Sequence, residues 1–442
     1  MTPPPPLDFD TVQKLIAASG LKNLAHASIR ELVKLVNDIE KATGQKYIRM
    51  EMGVPGLKPP EAGVQAEIAA LNRGVASKYP MIEGIAELKT EFSRFLKLFV
   101  DVDVHPDGCV PTVGSMQGGF AAFLILSKCR KGRNITLFLD PGFPVQKQQH
   151  DVLGIPHVSL EVNNYRGDKL RDKLESMLAS GRISSILYSN PNNPSWLCLT
   201  DKELRIIADL ARKYDAVVIE DLAYFAMDFR QDLSKPGQPP YQPSVAKYAD
   251  DYLLLVSSSK CFSYAGQRIA MMAISDHLAG RTFPDLKANF HTDNFGHAMI
   301  HRVIYSLSAG TSHSAQFAMA AMLKAANDGR YDFVADVREY GERARLMKKL
   351  FTDNGFRIVY DRDEDKPIAD GFYFTISYPG LTGDQLVEEL LYYGISAIGL
   401  ATTGSERPEG LRACVSQTGR DRLRELEERL RRFNADHPQQ AS

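Results

Sequence analysis

Four short apolar runs in this chain each end in residues that could do chemistry. Ile135 to Leu139 runs into Asp140-Pro141-Gly142-Phe143-Pro144, and Ile183 to Tyr188 into Ser189-Asn190-Pro191-Asn192-Asn193-Pro194. Ala216 to Ile219 is followed by Glu220-Asp221-Leu222-Ala223-Tyr224, and Tyr252 to Val256 by Ser257-Ser258-Ser259-Lys260. The set holds an amine, carboxylates, amides, a phenol and hydroxyls. A partly desolvated lysine loses its proton more easily, and only the neutral amine condenses with an aldehyde. A fifth stretch, Gly114-Ser115-Met116-Gln117-Gly118-Gly119, precedes a helical pattern at Phe120 to Ser127. Glycine-flanked helix starts hold phosphates through free N–H groups and the helix dipole. Each signal also has an ordinary structural reading: Asp after a strand is a common helix N-cap, and Asn-Pro pairs form turns. Register alone does not separate Glu220 from Asp221.

These groups meet only if the runs are strands of one sheet. Amphipathic stretches such as Asp168 to Ala179 and Lys202 to Lys213 lie between several of them, as does a further run, His157 to Leu160. Strands alternating with helices predict a mostly parallel α/β sheet, buried on both faces, with ligands beyond the carboxyl ends of its strands. Ahead of it, Phe9 to Thr43 and Ile85 to Phe99 read as helical, with a loop at Gly53-Val54-Pro55-Gly56 and Pro59-Pro60. Beyond it come helical stretches at Ser314 to Ala326 and Arg338 to Phe351, an alternating strand at Phe372 to Ser377, and helices at Gln385 to Leu391 and Arg420 to Phe433. The expected division is 1–50, an arm and helix belonging to a small domain; 51–325, a large domain; and 326–442, a smaller α+β domain. The proline-rich start, Met1 to Pro6, reads as an extended arm.

With 442 residues the chain is long enough for two domains. Lys and Arg number 53 against 54 Asp and Glu, a net charge of -1, so no bulk electrostatic preference for nucleic acid or anionic membrane exists. The five cysteines form no CxxC pair, which argues against a disulfide framework or a structural zinc. No secretory signal and no run of about 18 apolar residues is present, so a cytoplasmic protein without a metal is expected.

The motifs resemble those of fold-type I pyridoxal-phosphate (PLP) enzymes, in particular class I/II aminotransferases, and run in that family's order from Gly53 to Arg412. S-S-S-K-C-F-S-Y-A-G-Q-R is similar to S-x-x-K-x(7)-R, which implies that Lys260 forms the Schiff base and shuttles the α-proton. It further implies that Ser257 and Arg268 hold the cofactor phosphate with Ser115 and Met116. Asp221 would pair with the pyridine nitrogen and keep the ring cationic. Tyr224 and Asn193 would bond the phenolate oxygen, and Phe143 would stack on the ring. N-P-N-N-P-S-W resembles N-P-N-N-P-T-G, but Ser195 replaces Thr and Trp196, the only tryptophan, replaces Gly. Such a bulky residue would alter the local backbone or wall the substrate pocket. Tyr79, in K-Y-P-M-I-E-G, resembles a tyrosine that reaches a partner's phosphate, implying a homodimer. Gly53 would help bind the substrate carboxylate. Arg412, in G-L-R-A-C, would clamp that carboxylate in preference to the nearby Arg407.

The resemblance implies amino transfer from an amino acid to a 2-oxo acid, within amino acid metabolism. Two alternatives use the same motifs or fold: a β-lyase or decarboxylase, and a PLP-sensing regulator. The regulator would need a DNA-binding domain, and no basic helix-turn-helix pattern precedes Gly53. Arg302, in H-R-V-I-Y-S, loosely resembles the segment that supplies a distal-carboxylate arginine. Thr311 and Ser312 are weaker candidates for a partner's phosphate site.

Overall fold

Strands apolar on both sides must be covered on both faces, and the chain does this with one seven-stranded sheet. The computed structural model describes residues 7–438, so the proline-rich arm expected at the start lies outside them. The chain divides into two compact units. The larger comprises Leu57–Asn192 and Cys198–Val337; the smaller comprises the chain up to Gly56, Asn193–Leu197 and the chain from Arg338.

The larger unit holds β1 (Cys109–Thr112), β2 (Ile135–Asp140), β3 (His157–Glu161), β4 (Ile183–Ser189), β5 (Val217–Asp221), β6 (Tyr252–Ser257) and β7 (Ala270–Ile274). Their order in space is β1-β7-β6-β5-β4-β2-β3. The run β6-β5-β4-β2-β3 is parallel, and β7 is antiparallel to both its neighbours. This is the mostly parallel α/β fold that the alternating pattern predicts. The apolar-run pattern does not mark β1, and β7, although an apolar run, is not among the expected strands. Pro111 sits in β1, where it is tolerated because β1 is an edge strand.

Two reversals, β6 to β7 and β7 to β1, leave β1 pointing the same way as β6. Thr112, Ser257, Asp221, Ser189 and Asp140 therefore end their strands at one edge. The register fixes their lateral order: Thr112 opposes Ala270, Ala270 opposes Ser257, and Asp221 opposes Ser189.

Helix α1 (Gly114–Leu126) begins six residues ahead of the expected Phe120 to Ser127 stretch. Its glycine-rich first turn lacks helical periodicity, and packing supplies the stability instead. Ala121, Phe123 and Ile125 join Phe138, Leu187, Ile219 and Leu255 in the core. Each large side chain among them contributes about 1.5–3 kcal/mol. Helix α2 (Pro144–Leu153) follows β2, with Pro at its first position.

In the smaller unit, the helix expected over Phe9 to Thr43 is two helices, Phe9–Ser19 and Ile29–Thr43. Gly20, at φ 73°, ends the first. A capping box of Ser28 and Glu31 starts the second, an S-x-x-E signal legible in the sequence. The helix expected over Arg338 to Phe351 spans Phe333–Asp353, its residues from Arg338 onward belonging to this unit. Strands β8 (Tyr373–Ser377) and β9 (Leu411–Cys414) form the middle of a four-stranded antiparallel sheet, with Thr375 opposite Arg412. The two-residue pleat puts Tyr373 on the same face as Arg412. Among the described residues no helix is long and apolar enough to cross a membrane, and no metal-ligand cluster occurs.

Candidate active site

Lys260 lies in the short helix Ser258–Cys261 that follows β6 and is half-buried. The Ser257 hydroxyl, at the strand end, accepts from the Ser259 N–H at 3.1 Å. The loop returns through Arg268, at φ 54°, directly ahead of β7. Arg268 is exposed and donates to the Ala265 carbonyl at 2.9 Å. Its guanidinium lies against the start of α1: Gly114 has φ 67°, and a Cβ there would overlap Arg268 Nη2. The buried Ser115 hydroxyl has no hydrogen-bond partner among the described residues. Such an orphan costs about 1–3 kcal/mol unless a ligand satisfies it. An unsatisfied hydroxyl, the free N–H groups of a helix start and a guanidinium fit a phosphate dianion. Met116, 43% exposed, lies in the same turn, and its carbonyl accepts from Gln149 of α2 at 2.9 Å.

Adjacent strand residues point to opposite faces, so Glu220 and Asp221 have different surroundings. Glu220 accepts from Tyr188 Oη at 3.0 Å, from the Val245 N–H at 3.2 Å and from the Ser244 hydroxyl. Burial pushes its carboxyl up to about 7. Asp221 accepts from the Ala223 N–H at 3.1 Å and from Gln146 Nε2 at 3.0 Å. Burial pushes it up to about 6, and no basic side chain of the described residues pairs with it. A buried carboxylate that lacks a cation suits a cationic ligand.

Phe143 is the N-cap of α2, and Gln146 follows one turn on. Lys147 pairs with Asp140 at 2.5 Å and ties α2 to the end of β2. Gln146 was not singled out from the sequence; its i+3 spacing from Phe143 is the signal that could have found it. Tyr224 is buried in the turn after β5.

In the larger unit the asparagine motif is partly scaffolding. Asn190 Oδ1 accepts from the Leu199 N–H at 3.1 Å, and Asn192 Nδ2 donates to the Pro141 carbonyl at 2.8 Å.

Asn193 belongs to the smaller unit, with Arg412. Arg412 is 1% exposed. Its Nη1 donates to Asn193 Oδ1 at 3.2 Å and its Nη2 to the Glu51 carbonyl at 2.7 Å. Its Cζ lies 4.5 Å from the centre of the Tyr373 ring. Nε has no hydrogen-bond partner, and no carboxylate pairs with the guanidinium among the described residues. A buried cation costs several kcal/mol unless paired, so this arrangement suits a carboxylate ligand. Arg407 instead sits 5.1 Å from the Tyr360 ring. Gly53, in the loop after the Ile48–Arg49 strand, lies against the Tyr373 hydroxyl. Glu51, also missed from the sequence, is fully buried and accepts from Arg49 Nε and Ser396 Oγ, each at 2.5 Å.

Tyr79 is 91% exposed. Thr311 is buried, with a hydroxyl lacking a partner among the described residues, and Ser312 is the N-cap residue of the helix His313–Asn327. Arg302 is exposed on the π-helical turn Met299–Ile304 and donates to the Phe290 carbonyl at 3.1 Å.

The pattern of the family described as "Aminotransferase class I and II" matches residues 45–430. An LL-diaminopimelate aminotransferase of Natranaerobius thermophilus is 24% identical over 349 residues, covering 78% of this chain and 82% of that protein. An aspartate aminotransferase of Pyrococcus horikoshii is 24% identical over 426 residues, covering 95% and 97%. Among solved structures, an alanine aminotransferase from Pyrococcus furiosus superposes with a TM-score of 0.75 at 21% identity, over 95% of this chain and 99% of that one. An aspartate aminotransferase single mutant of Thermus thermophilus gives 0.75 at 19% identity, over 95% and 98%.

Proposed function

From the premise that this chain belongs to the aminotransferase class I and II family, we propose a division of labour among its residues. The chain is a PLP-dependent enzyme that transfers an amino group from an amino acid to a 2-oxo acid. The start of α1, with Ser115, Met116, Ser257 and Arg268, would hold the cofactor phosphate. Phe143 would stack on the ring. Asp221, held by Gln146 and the Ala223 N–H, would pair with the ring nitrogen and favour its protonated form. Tyr224 and Asn193 would bond the ring oxygen. When bound, the cofactor supplies a cationic conjugated ring that accepts electrons from the substrate α-carbon.

Lys260 would hold the cofactor through its side-chain amine, and that amine, once free, would move the proton at the substrate α-carbon. Arg412 would hold the substrate carboxylate through Nε, which has no partner among the described residues, and its remaining N–H groups, with Gly53 beside it. Orientation of that carboxylate decides which α-bond is aligned with the ring.

The observation that carries this reading is the convergence at one sheet edge. Lys260, a buried Asp221 with no cation beside it among the described residues, and an Arg268–Ser115 cradle with a hydroxyl lacking a partner among them all sit at that edge, Arg268 at the amino end of the antiparallel β7 and the others beyond the carboxyl ends of β1, β5 and β6. We further propose a homodimer, supported by the exposure of Tyr79, Met81, Tyr305 and Leu307 on the larger unit, and residence in the cytoplasm. Tyr79 would then reach the partner's phosphate site.

Absorption spectroscopy tests the assignment. The purified protein with PLP is expected to show a lysine-dependent visible band that one or more amino acids convert to the pyridoxamine form. Lys260→Ala is expected to lose both. A band that no amino acid converts would favour lyase or decarboxylase chemistry, and the absence of any band with excess PLP would refute the reading.

A further inference from the structure

Trp196 has no task in the reaction just described. It occupies the place of the motif's glycine and keeps a backbone suited to glycine, at φ 65°. For a residue with a Cβ, that conformation costs roughly 1–2 kcal/mol. The side chain is nonetheless fully buried. Gly371 makes the room: a Cβ there would overlap the indole at Cε2, Cζ2 and Nε1. Two positions are thus matched, a tryptophan in a glycine conformation and a glycine in its path.

The indole meets Tyr373 edge-on, with ring centres 6.1 Å apart and planes at 69°. Tyr373 in turn carries the Arg412 guanidinium at 4.5 Å. Arg412 then donates to Asn193, three residues before Trp196 on the same segment. The contacts close a ring within the smaller unit: Asn193, Arg412, Tyr373, Trp196 and back along the chain to Asn193. Among the described residues two hydrogen bonds hold the guanidinium, and the aromatic face packed on it helps set its plane.

We infer that Trp196 is a positioning residue for the carboxylate receptor, acting through Tyr373 to set the plane of the Arg412 guanidinium. The inference rests on the aminotransferase reading for what the receptor binds. Trp196 touches neither the reacting atoms nor the cofactor in this role. Its effect belongs in carboxylate affinity and KM, with kcat and cofactor binding spared.

Holoenzyme variants test this in two ways: titration calorimetry with maleate, a carboxylate that cannot transaminate, and steady-state kinetics with the donor found spectroscopically. Trp196→Gly and Tyr373→Leu are each expected to weaken maleate binding and raise KM roughly tenfold, with kcat within about threefold of wild type. Trp196→Phe and Tyr373→Phe are expected to restore most of the affinity. The Trp196→Gly/Tyr373→Leu double variant is expected to be no worse than Tyr373→Leu alone, because both act through one contact. A lower melting temperature with wild-type KM and maleate affinity would make Trp196 a mere filler and overturn the inference. Additive losses in the double variant would overturn it too, as would a wild-type holoenzyme that binds no maleate. If maleate binding depends on Trp196 but no amino acid is converted, the brace stands and the aminotransferase reading fails. Should Trp196→Gly not fold, the Trp196→Phe and Tyr373 variants decide the question alone.

Discussion

Replacing Asp221 by Asn removes a charge that the cofactor-free fold holds at a cost. The carboxyl is buried, no cation of the described residues pairs with it, and burial raises it from 3.8 to about 6. At about 1.36 kcal/mol per pH unit, that rise is about 3 kcal/mol. A raised carboxyl destabilises the fold only where it is charged. The penalty is absent below 3.8, grows between 3.8 and about 6, and is complete above that. The shape and both hydrogen bonds survive in the variant, because the Gln146 amide can turn its oxygen toward the new N–H group. Cofactor-free Asp221→Asn is therefore expected to be about 2–3 kcal/mol more stable than wild type at pH 8, with the advantage fading towards pH 4. Urea unfolding of both proteins at pH 4, 6 and 8 measures this. With PLP bound the order reverses in function, since the ring loses its counter-ion and conversion of the donor slows by orders of magnitude. Equal or lower stability of the variant at pH 8 would show that Asp221 is not held as an uncompensated charge, and the argument for a cationic ligand beside it would fall.

Arg412→Lys exchanges a planar fork for a point charge, so kcat/KM should drop roughly 100-fold or more with the cofactor spectrum unchanged; steady-state kinetics and the visible band check both halves. Arg268→Gln should weaken PLP binding by about 10- to 100-fold while leaving pyridoxal, which lacks the phosphate, unaffected, as fluorescence titration of the two would report. In wild type, PLP affinity should decline as pH falls below about 6, where Asp221 takes up a proton and offers the pyridinium a neutral partner. A PLP dissociation constant constant from pH 5 to 8 would contradict that assignment. Tyr79→Ala should lower PLP affinity only under conditions in which the protein sediments as a dimer.

Much of the architecture was legible because burial on two faces leaves an unmistakable trace. β2, β4, β5 and β6 read as apolar runs because almost nothing in them meets water. β1 escaped because it has only four residues, one of them proline. The break at Gly20 and the early start of α1 were lost for a related reason. Helical periodicity reports the buried stripe, and it is silent about where a glycine ends a helix or begins one.

The sequence by itself determined the chemical inventory and its order: a lysine after a serine run, an acid and a tyrosine after a strand, an arginine eight residues past the lysine. These are local, and a strand or turn of a few residues is enough to declare them. Only the tertiary structure decided which acid is closed off by hydrogen-bond donors and which faces Gln146. Glu220 and Asp221 are neighbours in sequence, but the pleat turns one toward Tyr188 and Ser244 and the other toward Gln146, 75 residues away in the chain. It likewise decided what Trp196 does. Its partners, Gly371 and Tyr373, lie far along the chain, and a buried aromatic declares its neighbours only when the packing that chose them is seen.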